Sequence, residues 1–233
     1  MKARRAAEAA TDTAPGATLA EDARLRLLHA GLRLFALQGF AKTSTRELAE
    51  AASVNVAAIS YYFGDKAGLY RAVFFEPMAE PVDEVARFTD AGLSLEAALR
   101  GFFARFVEPL RRGDQARLCM KLQFREMLEP TGLWEETVAH GIQPLHDALV
   151  LLLARHLGLD ASQRELQRLA VCLAGMGVHL HVGHDITNQV APGLNDGPKA
   201  LDDWADALTR YALVLVHAEA ARLGAALQGE PKS

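Results

Sequence analysis

From Leu25 onward the apolar residues return at steps of three and four: Leu25, Leu28, Leu32 and Phe35 near the start, Leu201, Trp204, Leu208, Tyr211, Leu215 and Ala218 near the end. A half-buried strand needs alternation at a period of two, so this spacing restricts the chain to helices that each bury one stripe. Alanine and leucine dominate while β-branched residues are sparse, which favours the same outcome. An all-α protein is expected, and 233 residues suffice to bury a proper core. Cys119 and Cys172 lie inside helical patterns without metal-ligand spacing and read as buried thiols in a reducing compartment. No run reaches the ~18 continuous apolar residues that span a bilayer, and the N-terminus has no apolar signal-peptide core. A cytoplasmic protein with no membrane partner is the expectation.

Charge and punctuation divide the chain. Met1 to Phe75 carries ten Lys and Arg against seven Asp and Glu, whereas Glu76 to Ser233 carries fifteen against twenty-two. A mildly basic front on an acidic body confines any nucleic-acid contact to the front. Residues 1–20 are Ala-, Thr- and Gly-rich and read as a flexible tail, with a helical pattern starting at Asp22. Pro77 and Pro81 interrupt the periodicity, so a first domain is placed at 21–75, a larger helical domain at 76–228, and a flexible end at 229–233. Within the larger domain, helical patterns are expected at 94–110, 116–128, 132–156, 161–185 and 199–227, with a kink at Pro144.

The stretch TSTRELAEAASVNVAAISYYFGDKAGLY, Thr43 to Tyr70, packs two short amphipathic segments around the turn Ser53-Val54-Asn55. Ser44 and Glu47 have capping-box spacing, and Leu48, Ala49 and Ala52 supply a buried side. Two helices joined by so tight a turn match a helix-turn-helix, whose second helix enters the major groove of double-stranded DNA. That helix offers Asn55, Val56, Ala57, Ala58, Ser60 and Tyr61, small or polar groups that let the backbone approach base edges.

The run from Ala23 to Phe74, with its first helix ending ALQGF, resembles the N-terminal DNA-binding domain of the tetracycline-repressor (TetR) family. The resemblance implies that Thr43, Ser44 and Thr45 meet phosphates and that Arg46 meets a phosphate or a base edge. It also implies that Asn55 to Ala58 and Ser60 face the groove, that Tyr61 and Tyr62 approach the backbone, and that Lys66 lies near a phosphate. Tyr62 and Phe63 equally suit the core of a three-helix domain. Ser53 stands where the family commonly has Gly; a positive φ there would cost about 1 kcal/mol.

The resemblance further implies that the remaining helices bind a small-molecule effector and dimerise, the last two pairing with their counterparts in a four-helix bundle. The seam Leu201, Trp204, Leu208, Tyr211, Leu215 and Ala218 suits that homodimer, although such a stripe also suits intramolecular core. A palindromic operator needs two recognition helices about one DNA turn apart. Gln123 to Leu149 resembles a C-terminal subtype of such regulators, marked by REM-x-x-P-T and then I-x-P-L-H. The effector, largely apolar, is expected among Phe102, Phe103, Phe106, Leu122, Phe124, Met127, Trp134, Val138, Ile142 and Met176. Arg125, Glu126, His140, His146 and His179 are the polar candidates. In GMGVHLHVGHD, the helical spacing of His181, His184 and Asp185 admits a shared metal, which leaves a metal- or pH-sensing regulator as the alternative; it equally admits polar groups at a helix end. The chain has no phosphate-cradling glycine loop, no Ser/His/Asp motif and no paired catalytic carboxylates, so neither an enzyme nor a cofactor is expected.

Overall fold

A computed structural model describes residues 15–76 and 85–225. The tail up to residue 14, the domain change at Pro77 and Pro81, and the end at 229–233 lie outside the described residues. Every regular element within them is helical, and no single helix among them is long and apolar enough to cross a membrane. The chain divides into two compact units, Met1–Glu76 and Pro77–Ser233.

The first unit contains α1 (Pro15–Gln38), α2 (Thr45–Ala51), α3 (Ala57–Phe63) and α4 (Lys66–Phe75). Residues 15–20, assigned to the tail on composition, belong to α1: proline at the first helical position forfeits no hydrogen bond, and alanines follow it. Leu28, Leu32 and Phe35 of α1 pack with Leu48, Ile59, Leu69 and Val73 in one buried core. Leu25, expected on that stripe, is half exposed. Tyr70 stands edge-on to Phe35 and Phe40, at ring separations of 5.0 and 5.1 Å. Between α3 and α4, a Cβ on Gly68 would come within 1.9 Å of the Phe63 carbonyl oxygen, so only glycine lets these helices turn so closely.

The second unit begins with the short α5 (Ala86–Thr89), then α6 (Leu95–Arg111), capped by Ser94, and α7 (Asp114–Leu128). It continues through α8 (Trp134–Thr137), α9 (Gln143–Leu157), α10 (Arg164–Val182), α11 (His184–Val190) and α12 (Ala200–Leu223). α6 packs along α12 and also touches α5, α7, α9 and α10. The core holds Phe88, Leu99, Phe102, Phe103, Leu153, Leu173, Leu208 and Val216. A Cβ on Gly177 would meet the Phe106 ring at 2.5 Å, which marks the close crossing of α10 over α6.

Two expected helices are broken. Pro144 has no N–H for the carbonyl one turn back, and the turn before it widens into a π-helix at Val138–Ile142, closed by Gln143 N–H on the Val138 carbonyl. The span 132–156 is therefore α8, a π-turn and α9. The span 161–185 stops at Gly183, where the chain bends by 78° into α11.

Candidate nucleic-acid interface and ligand cleft

The turn between α2 and α3 is fixed by its own hydrogen bonds. Ser44 Oγ accepts from Glu47 N–H at 3.1 Å and the Glu47 carboxylate accepts from Ser44 N–H at 2.8 Å, a reciprocal capping box that holds the Glu47 carboxyl below its ordinary pKa. At the other end, Ser53 N–H donates to Glu50 and Val54 N–H to Ala49. This closure needs a left-handed residue, and Ser53 supplies it at φ 53°, alone among the described non-glycine residues. Asn55 Oδ1 then accepts from Ala57 N–H at 2.9 Å and starts α3.

The result is a short helix presented outward. Ile59 is its buried anchor, while Asn55, Val56, Ala57, Ser60 and Tyr61 are exposed, Tyr61 at 81%. Ala58 is half-buried, and Tyr62 is half-buried with its ring edge-on to Tyr61 at 4.8 Å. Ser44 is exposed, Thr45 half-buried, and Arg46 extends into solvent beside Glu50 at 3.0 Å.

Two residues expected at phosphates face inward instead. Thr43 is buried, and its hydroxyl donates to the Gly39 carbonyl at 2.8 Å. Lys66 Nζ donates to the carbonyls of Phe40 and Thr43, both at 3.0 Å, and sits 4.2 Å from the centre of the Phe40 ring. The ammonium needs partners when half-buried, and the carbonyls left over after α1 supply them. Lys66 thus ties the start of α4 to the loop before α2.

In the second unit a cleft of about 620 Å³ opens between the end of α6, α7, α10 and α11. Its lining includes Leu110, Phe124, Leu180 and Val182, with Arg117, Lys121 and Arg125 on the α7 side. Of the residues expected around an effector, Arg125 and Phe124 line it; His181, His184 and Asp185, expected as metal candidates, line it too. Phe102, Phe103 and Leu122 are buried core, with Phe106 and Met176 packed at its margin. Trp134 and Val138 are half-buried outside the cleft, and Met127 and Ile142 are exposed.

The polar candidates are mostly engaged elsewhere. Glu126, fully buried, accepts from Thr131 N–H at 2.7 Å, from the Thr131 hydroxyl and from Leu133 N–H, and so shapes the loop after α7. That pairing accounts physically for a glutamate and a threonine five residues apart. His146 Nε2 lies 2.6 Å from Gln167 Oε1, His140 Nδ1 lies 3.1 Å from the Glu136 carbonyl, and His179 is exposed, its ring over Gly183.

The break at Gly183 also separates the histidine run. His181 lies in the last turn of α10, its ring near those of Phe106 and Phe124; burial lowers its pKa against the raising effect of a bond to the Phe106 carbonyl. His184 and Asp185 belong to α11, 3.6 Å apart. Among the described residues no three His, Cys, Asp or Glu side chains gather where they could hold a metal, so the helical spacing expected for His181, His184 and Asp185 is not realised.

A chain of amides links the cleft rim to α12. His184 Nδ1 lies 3.3 Å from Asn188 Nδ2, Asn188 Oδ1 accepts from Asn195 at 2.7 Å, and Asn195 Oδ1 accepts from Trp204 Nε1 at 2.9 Å. Trp204, Leu201 and Leu208, expected in a dimer seam, pack on the unit's own core. Tyr211, Leu215 and Ala218 are exposed on α12, together with Val214, which sequence reading missed. On α10, Val171 and Cys172 are exposed. The expectation of a buried thiol therefore fails for Cys172, which lies on the outward side of its helix; Cys119 is half-buried.

With this geometry in view, the sequence matches two family profiles. Residues 27–73 match bacterial regulatory proteins of the tetR family. Residues 95–218 match the C-terminal domain of the HTH-type transcriptional dual regulator CecR. CecR of Shigella flexneri is 34% identical over 160 residues, covering 63% of this chain and 70% of that protein. The HTH-type transcriptional regulator AcrR of Shigella flexneri is 31% identical over 112 residues, 46% of this chain and 50% of that one. Among solved structures, HlyIIR, a hemolysin II transcriptional regulator, aligns with a TM-score of 0.56 at 20% identity, over 82% of this chain and 98% of that one. A transcriptional regulator from Rhodococcus sp. Rha1 aligns at 0.60 with 17% identity, over 87% and 97%.

Proposed function

Because this chain belongs to the tetR family of bacterial transcriptional regulators, we propose that it is a homodimeric repressor released from a palindromic operator by a small, largely apolar effector. The observation that carries the reading is the outward face of α3. Asn55, Val56, Ala57, Ser60 and Tyr61 stand exposed on a helix whose entry is capped and whose anchor, Ile59, is buried. Such a face can enter a major groove without moving its backbone. Ser44, Thr45, Arg46 and Tyr62 flank it and are the phosphate contacts in this reading.

Dimerisation through α10 and α12 is supported by Val171, Tyr211, Val214 and Leu215, large apolar residues exposed on two helices that touch each other. The effector enters the cleft between α6, α7, α10 and α11. The amide chain from His184 to Trp204 gives that cleft a hydrogen-bonded connection to α12. Release requires only that effector and operator favour different conformers, by about 1–3 kcal/mol.

The test is genome-wide capture of DNA fragments by the purified protein at moderate salt. A few sites sharing a palindrome, lost on Tyr61→Ala or Asn55→Ala, are expected. Diffuse capture with a steep salt slope would instead indicate binding through phosphates alone and overturn the operator reading.

A further inference from the structure

The wall that α7 turns to the cleft carries two parallel rows. Met120, Phe124 and Leu128 recur every four residues as an apolar row, and Arg117, Lys121 and Arg125 recur every four residues as a cationic row beside it. Arg125 is paired with Glu129 at 3.0 Å. The side chains of Arg117 and Lys121 have no ion-pair or hydrogen-bond partner among the described residues. The second carboxylate of the lining besides Glu129 is Asp185 of α11, which is 99% exposed and lies beside His184. Three cations against the two carboxylates Glu129 and Asp185 leave the lining net positive beside an apolar strip, out of keeping with a body that carries fifteen basic against twenty-two acidic residues.

We propose that the cleft selects amphipathic anions, small molecules with a flat or extended apolar body and a carboxylate or equivalent oxyanion along one edge. This rests on the reading of the cleft as the effector site. The apolar body lies along Met120, Phe124 and Leu128 and against Leu180 of α10, while the oxyanion meets Lys121 and Arg117 at the mouth. Arg117 and Lys121 are exposed, so each adds a modest, salt-screened attraction for an anion, and the apolar row supplies affinity without regard to charge. Neutral molecules of the same shape therefore bind more weakly, and cations weakest.

The test is equilibrium binding of naphthalene-2-carboxylate, naphthalene-2-carboxamide and naphthalen-2-ylmethylammonium to the full chain. The carboxylate is expected to bind about tenfold tighter than the carboxamide at low salt, with the gap closing as salt rises. Lys121→Ala and Arg117→Ala should each weaken the carboxylate about threefold and leave the carboxamide unchanged, and the double variant should equalise the two. Both side chains are exposed, so folding should survive, as a melting curve checks. Equal affinities, a preference for the cation, a carboxylate preference that persists in the double variant, or no saturable binding by any of the three would each overturn the proposal. Retention of the captured DNA fragments is followed in parallel. An anion that binds as expected but leaves DNA retention unchanged would sink the release reading and spare the charge selectivity; release by a neutral compound alone would do the reverse.

Discussion

In the first unit the breaks between helices are written in residues a few positions apart: Ser44 with Glu47, Asn55 with Ala57, Asp65 with Gly68. In the second unit they come from missing donors and distant partners: Pro144 ahead of a π-turn, Glu126 reaching to Leu133, Asn195 reaching to Trp204. A short helix presented to a partner gets little from its own hydrogen bonds, so its orientation is over-determined locally. The walls of a cleft are set by packing, and their outline depends on the whole unit. Local determination of the first kind can be broken by single substitutions whose effects are large and confined.

Gly68→Ala should do the most damage. The new methyl collides with backbone rather than with a movable side chain, and a loss of about 3 kcal/mol is expected, read as a lower melting transition with specific DNA capture abolished. A melting curve unchanged by this substitution would mean that the α3 to α4 turn relaxes freely. Lys66→Met comes next, at about 2 kcal/mol for two hydrogen bonds from a charged donor. If Lys66 instead served a phosphate, stability would hold and the salt slope of DNA binding would fall by about one. Ser53→Gly should stabilise by about 0.5 kcal/mol, the left-handed strain of roughly 1–2 kcal/mol less the added chain entropy of glycine.

The smallest effect is a slope in the second unit. His181 has a lowered pKa, so the unfolded chain takes up its proton first as pH falls. The stability it contributes is complete above the ordinary histidine value near 6.5 and is lost as pH falls through the lower folded value. Chemical denaturation at pH 7 and pH 5 should show this decline, and His181→Phe, beside Phe106 and Phe124, should flatten it. An equal decline in that variant would assign the slope to other groups.

This contrast also governs what was legible beforehand. The capping box, the turn at Ser53, the buried Ile59 and the start of α4 follow from spacing, because each depends on neighbours within one turn. The inward direction of Thr43 and Lys66 does not, since it depends on carbonyls that only the folded loop leaves unpaired. Phe102 and Phe103 suit a core and a cavity alike as large aromatics, and only the fold places them in the core. Arg125 is among the polar candidates the sequence offers, but Lys121 and Arg117, one and two turns before it, are not, because a four-residue row of cations equally suits a solvated helix face. The end of α10 at Gly183 carries little signal, as an isolated glycine inside an apolar helical pattern can either be tolerated or mark its end.

The widened turn at Val138–Ile142 bears on how this part of the chain tolerates length change. A π-turn holds one residue more than a helical turn needs, so deleting a single residue there would restore regular winding between α8 and α9. Residues on the α8 side would keep their faces relative to α9, because the extra residue is already absorbed inside the widened turn. Trp134, half-buried in α8, would stay on its side of the helix. Loss of one residue at Val138–Ile142 should therefore be absorbed locally, whereas the same loss inside α9 would turn everything before it by about 100°.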